Sequence, residues 1–126
     1  MAVVTLTAVN RGVKATPVHG LGGQVVVRSG TVEVGAADSA TSTYGFYRVP
    51  TNARILGASR VYWDDLASAG SPTLDIGFRP VGGNITADPD ALNDGLDAAT
   101  VNNTGVAVVK DKANYGKTVW ELLGLS

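Results

Sequence analysis

The sequence predicts an all-β protein, with an antiparallel β-sandwich or jelly-roll-like body, an extended N-terminal arm and a short C-terminal helix. Three observations support this class. Short runs of β-branched and aromatic residues recur with no long amphipathic helix between them. Apolar and polar residues alternate between Ala53 and Arg79 with the two-residue period of a half-buried strand. Sixteen glycines suit tight turns and close backbone packing.

Composition limits the classes of function. A chain of 126 residues fits one domain with a core of its own. The absence of cysteine excludes disulfides, thiolate nucleophiles and cysteine-ligated zinc, and fits a reducing cytoplasm or a particle assembled there. Ten basic and eleven acidic residues nearly cancel, so neither nucleic acid nor a membrane surface is an expected partner.

The first elements are an arm and the start of the body. Residues 1–23 hold a short apolar run followed by four glycines and Pro17, which predicts an extended arm; an ordinary edge strand and loop is the alternative. Residues 24–126 form the predicted β-sandwich body. Gln24–Arg28 and Thr31–Val34 are predicted strands around a turn at Ser29-Gly30. Ser42–Val49 is a third predicted strand.

The alternating stretch Ala53–Arg79 predicts two hairpin-like strands joined by a polar, proline-closed loop. The first strand ends at Trp63, and the second places Leu74, Ile76 and Phe78 on one face. We expect that face to lie in the core.

The C-terminal third mixes helix and strand signals. Asp88–Asp97 predicts a helix of about one turn, since Asp88 suits the N-cap, Pro89 the first helical position and Gly95 the stop. Thr104–Lys110 predicts a strand. Tyr115–Leu125 predicts a short helix closed by Gly124.

No residue pattern predicts catalysis or a cofactor. Asp88, Asp90, Asp94 and Asp97 are the best candidate metal ligands, but the cluster lacks the EF-hand glycine and glutamate, and helix capping explains it more simply. Asp64-Asp65 are adjacent on a strand, so they point to opposite faces and cannot flank one bond.

The remaining chemical candidates are equally weak. A serine hydrolase triad would need His19, the sole histidine, which has no nucleophile motif beside it. The glycine clusters at residues 20–23 and 82–84 match no phosphate-binding loop. Several aromatic residues could stack against bases or sugars, although core packing is the more general explanation: Tyr44, Phe46, Tyr47, Tyr62 and Trp63.

Several segments resemble small structural proteins of tailed bacteriophages. They are P-x-N-A-R-I-L-G from Pro50 to Gly57, W-D-D-L at 63–66, T-L-D-I-G at 73–77, A-L-N-D-G at 91–95 and G-K-x-x-W-E-L-L-G at 116–124. The likeness extends from Thr31 to Leu125. The resemblance implies that family members often run on past the last of these segments with further β-strands. We therefore expect either that the body has lost an edge strand or that a partner or the N-terminal arm supplies it.

The resemblance implies a virion structural protein, specifically a capsid cement (decoration) protein. Such a protein is non-enzymatic, needs no cofactor or metal, and binds the major capsid protein and copies of itself, as a homotrimer, on the capsid surface. It would assemble in the host cytoplasm. The arm and one strand face are the expected contact surfaces; their candidate interface residues are Val3, Leu6, Arg11, Lys14, His19, Arg60, Tyr62 and Arg79.

Three other functions stay open at this stage. The protein could be a structural component of the tail or neck. It could be a carbohydrate-binding host-recognition module that stacks sugars on Tyr44, Tyr47, Tyr62 and Trp63. A small hydrolase is the fourth hypothesis, for which the residues offer the least support.

Overall fold

The computed structural model describes Thr5–Thr7, residues 25–66 and residues 69–125. The chain divides into two compact units, Met1–Val49 and Pro50–Ser126. The predicted boundary after residue 23 therefore falls inside the first unit. Regular structure in the described residues is mostly strand, with little helix, which confirms the all-β prediction.

The first unit contains two short parallel strands. β1 (Thr5–Thr7) pairs with β2 (Thr43–Gly45), so one strand of the predicted arm pairs within this unit. The predicted strand Ser42–Val49 is shortened to β2. The strands predicted at Gln24–Arg28 and Thr31–Val34 are wrong, because residues 25–35 have neither helix nor strand. High β propensity does not produce a strand without a partner strand.

A turn built on Asp38 precedes β2. Its Oδ2 accepts hydrogen bonds from the Gly35 backbone N–H at 2.9 Å and from the Tyr44 hydroxyl at 2.8 Å. The Asp38 N–H also donates to the Gly35 carbonyl at 3.0 Å. None of residues 25–49 is classed as buried, and this turn is the part of them with the most hydrogen bonds described.

The second unit contains two antiparallel two-stranded sheets. β3 (Arg60–Trp63) pairs with β6 (Asn102–Ala107), and β4 (Thr73–Phe78) pairs with β5 (Asp88–Asp97). The two strands predicted in Ala53–Arg79 therefore exist, but the hairpin is wrong because each pairs with a later strand. The first is also shorter than predicted, since residues 57–58 form a turn.

The helix predicted at Asp88–Asp97 is wrong, because these residues form the strand β5. Gly77 of β4 permits this pairing, since a Cβ at that position would overlap the backbone of Asp88 and Pro89. Gly95, which was predicted to stop the helix, has φ +65° and lies where the β4–β5 register shifts. Aspartate and proline at a segment start favour a helix locally, but they do not exclude an irregular strand.

The buried side chains of the described residues all lie in the second unit. Among the described residues, the buried apolar side chains are those of Leu92, Ala98, Val109 and Val119. Buried beside them is one polar residue, Asn93, whose Nδ2 donates to the Ala107 carbonyl at 2.9 Å. Its Oδ1 accepts from the Asp94 N–H at 2.9 Å. Leu74, Ile76 and Phe78 are half-buried, while Asp75 between them is exposed, as the alternation predicted.

The predicted C-terminal helix is confirmed as α1 (Val119–Leu122). Thr118 and Glu121 form a capping box at its start, with each side chain bound to the other residue's backbone N–H. The helix N–H groups of Val119 and Trp120 donate to the carbonyls of Ala53 and Thr51, each at 2.8 Å. No helix in the described part of the chain is long and apolar enough to cross a membrane.

Candidate binding surfaces and the Trp63 cleft

The four candidate metal ligands of β5 have separate roles. The pKa of Asp88 is raised, mainly by a side-chain hydrogen bond with Asp90 and to a smaller extent by burial. Asp94 forms an ion pair with Lys110, which lowers the pKa of Asp94, and Asp97 accepts from the Ala99 N–H at 2.9 Å. Across residues 25–66 and 69–125, no group of three or more histidine, aspartate or glutamate side chains could hold a metal ion.

Asp64 stabilises the end of β3. Its Oδ1 accepts from the Asp65 backbone N–H at 2.8 Å, as expected of an aspartate that ends a strand. This contact explains one member of the Asp64-Asp65 pair without any catalytic role.

Most predicted interface residues of the arm lie outside the described residues. These are Val3, Arg11, Lys14 and His19. Leu6 lies in β1, where its backbone pairs with Tyr44 of β2. The arm residues therefore remain a prediction.

Arg60 and Tyr62 share the exposed face of β3. Arg60 Nη1 donates to the Gly57 carbonyl at 3.1 Å, and Tyr62 is 60% exposed. The Tyr62 ring lies against Gly105 of β6, since a Cβ on that glycine would lie 2.6 Å from Tyr62 Cε1. An exposed aromatic ring that is held on a glycine loses little conformational entropy when a partner covers it.

Arg79 belongs to a different sheet. It is exposed one residue past the end of β4, and no hydrogen bond or ion pair described for residues 50–126 links it to Arg60 or Tyr62. Of the three body residues predicted at the interface, two therefore lie on one strand, and the third follows a strand of the other sheet.

The sequence prediction missed an exposed apolar segment at Val25–Val27. Their side chains are 65%, 48% and 86% exposed. The sequence predicts a strand at these valines, and pairing and packing of such a strand would bury one of its faces. As consecutive exposed apolar side chains, they form a patch that is unusual for a surface without a partner.

The aromatic residues differ in their surroundings within each unit. Tyr44 donates to Asp38, and both burial and that hydrogen bond raise the pKa of Tyr44. Burial also raises the pKa of Tyr47, whose hydroxyl oxygen is buried without a hydrogen-bond partner. In the second unit Tyr62 is exposed and Trp63 half-buried, as expected of adjacent residues on opposite faces of a strand.

Trp63 lines an open cleft of about 580 Å³. Its indole Nε1–H donates to the Thr100 carbonyl at 2.9 Å, which holds the ring in place. The loop between β5 and β6 supplies most of the remaining wall, with apolar contributions from Leu96, Val101 and Val106. The polar residues of the wall are Asp97, Thr100, Asn102, Asn103 and Thr104. An apolar ring beside several short polar side chains is the composition of a small-ligand site.

The comparisons with known proteins identify no relative. A scan against protein-family models matched no family, and neither the curated proteins nor the solved structures gave a match.

Proposed function

We propose that the protein is a structural component of a tailed-bacteriophage virion, a cement protein that binds and stabilises the shell of the major capsid protein. The observation that carries the proposal is the contrast between order and burial in residues 25–49. They include a strand and a hydrogen-bonded turn, yet none of them is buried and Val25–Val27 are exposed. Ordered apolar surface of this kind is stabilised when a neighbouring subunit covers it.

The body supplies a second type of contact surface. Tyr62 and Arg60 are of the residue types that contribute most to protein interfaces, and the Tyr62 ring is already held on Gly105. A contact repeated over many copies on a shell gains strength from avidity even where each contact is weak. We expect the protein to act as a homotrimer on the capsid surface, assembled in the host cytoplasm, without enzymatic activity or a cofactor.

In the assembled state we propose that the two sheets become layers of a β-sandwich or jelly roll. Among the described residues each of these sheets has two strands, and those strands leave both outer edges of the sheet open to a further strand. A strand from the N-terminal arm or from a neighbouring subunit would extend these edges through main-chain hydrogen bonds.

Analysis of purified virions tests the proposal. Mass spectrometry is expected to find the protein at a copy number comparable to that of the capsid subunits, and a reconstruction of the particle should place it on the shell. A copy number that matches the rotational symmetry of the portal vertex would instead select the tail or neck alternative. Absence from mature particles would overturn both.

A binding assay tests the observation itself. Capsids purified from a phage that lacks the gene are mixed with protein in which Val25, Val26 and Val27 are replaced by serine, and co-sedimentation is measured. We expect capsid occupancy to fall, while Val81→Ser, an exposed valine of the second unit, binds like the wild type. Equal occupancy for both variants would contradict the role of the valines.

A further inference from the structure

We propose that the Trp63 cleft binds a neutral saccharide. This inference concerns residues 63 and 96–106 and does not depend on the capsid function. A cement protein with such a site would also carry a glycan-recognition surface.

The indole of Trp63 provides a fixed apolar surface for a sugar ring. Trp63 is half-buried, and its only polar atom donates to Thr100 O at 2.9 Å. The ring therefore needs no hydrogen bond from a ligand, and its fixed orientation reduces the entropy lost on binding. The C–H face of a pyranose packs on such a ring through apolar contact.

In each of two cleft side chains, one atom forms a hydrogen bond within the protein and a second atom is available to a ligand. Asp97 Oδ1 accepts from the Ala99 N–H at 2.9 Å, which leaves Oδ2 as an acceptor. Asn102 Oδ1 accepts from the Gly105 N–H at 2.9 Å, which leaves the Nδ2 amide as a donor. A sugar hydroxyl both donates and accepts, so an acceptor and a donor that line one cleft match a pair of hydroxyls.

The charge of the cleft selects against anionic ligands. Its lining among the described residues contains no lysine or arginine, and Asp97 contributes a carboxylate. Phosphate groups of nucleotides or nucleic acids would meet repulsion without a compensating cation. A neutral, hydroxyl-rich ligand meets no such cost, and the open shape of the cleft admits an internal unit of a longer glycan.

The sequence hypothesis of a carbohydrate module placed the sugars on four aromatic residues. The site proposed here uses one of them, Trp63, together with the loop between β5 and β6. Tyr62 points away from this cleft, and Tyr44 and Tyr47 belong to the first unit.

Nuclear magnetic resonance on the ¹⁵N-labelled full-length protein tests the site. The probes are maltohexaose, cellohexaose, chitohexaose and mannohexaose, each at up to about 10 mM so that weak binding is detected. The chain has two tryptophans, so the indole signals are assigned with Trp63→Phe and Trp120→Phe. We expect at least one probe to shift the Trp63 indole and the Asn102 and Asn103 side-chain amides while the Trp120 indole stays in place.

Two exposed asparagines provide a matched pair of variants. Asn103 lines the cleft and Asn84 does not, and the described structure gives neither side chain a hydrogen bond to lose. Asn103→Ala should weaken binding of the shifting probe by about five- to tenfold, the value of one hydrogen bond, while Asn84→Ala leaves it unchanged. No shift with any of the four probes, a shift confined to Trp120, or a response to adenosine monophosphate instead of the saccharides would overturn the proposal.

Discussion

Residues 25–49 and residues 50–126 share a type of composition but differ in how many of their side chains are buried. Both regions contain β-branched and aromatic runs, such as Val25–Val27 and Val61–Trp63. The second region pairs its run with β6 and buries Leu92, Ala98, Val109 and Val119. In residues 25–49 the strand pairing described is that of β2 with β1, and none of these residues is buried.

In the second region two glycines allow close approach between paired strands. In the second region Gly77 and Gly105 lie where a side chain would collide with the opposite strand or its side chains. In residues 25–49, Gly35 plays a local role, since its N–H donates to Asp38. Both tryptophans lie in the second region, so tryptophan fluorescence reports its unfolding selectively.

Substitution at Gly77 should break the second region most severely. In Gly77→Ala the new Cβ would overlap the backbone of Asp88 and Pro89, and backbone atoms cannot move aside without opening the β4–β5 pair. We expect a loss of about 3 kcal/mol in the free energy of unfolding, measured by tryptophan fluorescence in urea. Gly82→Ala, where no atom lies within 4 Å of the new Cβ, is the control and should unfold like the wild type.

Gly105→Ala should cost less, about 2 kcal/mol, because a side chain can yield where a backbone cannot. The residue has φ +81°, and its Cβ would lie 2.6 Å from the Tyr62 ring. Gly83→Ala has nearly the same φ, +83°, in open space, so it measures the backbone strain alone. In a Tyr62→Ala background the two glycine variants should lose similar amounts of free energy of unfolding. If Gly105→Ala still costs more than Gly83→Ala there, the ring does not pack on Gly105 as described.

Asn93→Ala should remove the polar anchor of the core. The variant leaves the Ala107 carbonyl and the Asp94 N–H without the hydrogen bonds that Asn93 provides. We expect a loss of about 2 kcal/mol in the same urea experiment. Asn103→Ala, at an exposed position, should leave stability unchanged, and an equal effect of both variants would contradict the special role of Asn93.

A smaller effect is expected from pH at the start of α1. Hydrogen bonds from Thr118, first from its N–H and then from its hydroxyl, lower the pKa of Glu121 below the ordinary 4.5. Because the folded pKa is depressed, this stabilisation is present above pH 4.5 and is lost as the pH falls through the lower folded value. The free energy of unfolding is measured on both sides of that pH window. Glu121→Gln should lack this pH-dependent part of it, whereas Glu33→Gln in the first region should retain it.

The smallest effect on the second region should come from Tyr44→Phe. It removes the 2.8 Å hydrogen bond to Asp38 and should loosen the turn at residues 35–42, which limited proteolysis detects as faster cleavage. Asp38→Asn, which weakens the same turn, is expected to behave alike. The fluorescence-detected unfolding of both variants should match the wild type; a clear shift would show that the two regions unfold together.

Local patterns predicted the elements better than their pairing. The alternation at Leu74–Phe78 marked a real strand, and the apolar patch after Thr118 marked a real helix. The partner of β3 lies some forty residues further along the chain, and nothing in residues 53–79 encodes that choice. The local signals of Asp88 and Pro89 favoured a helix, and only the space at Gly77 reveals why a strand forms there instead.

For the candidate sites, the sequence predicted the face of a single strand but not features that depend on pairing between strands. Arg60 and Tyr62 followed from alternation alone, because period two places them on one exposed face. The cleft did not, because Trp63 meets Thr100 and Asn102 only after β3 and β6 have paired. The exposure of Val25–Val27 was also hidden, since a run of valines predicts burial unless the absence of a partner strand is known.

The hydrogen bonds from Val119 and Trp120 to Ala53 and Thr51 bring the entry and exit of the second unit side by side. A unit whose two ends meet can be spliced into a loop of a host protein with little distortion of either. The same proximity permits circular permutation, with a short linker across the old ends and new ends opened at the exposed Gly82-Gly83 loop.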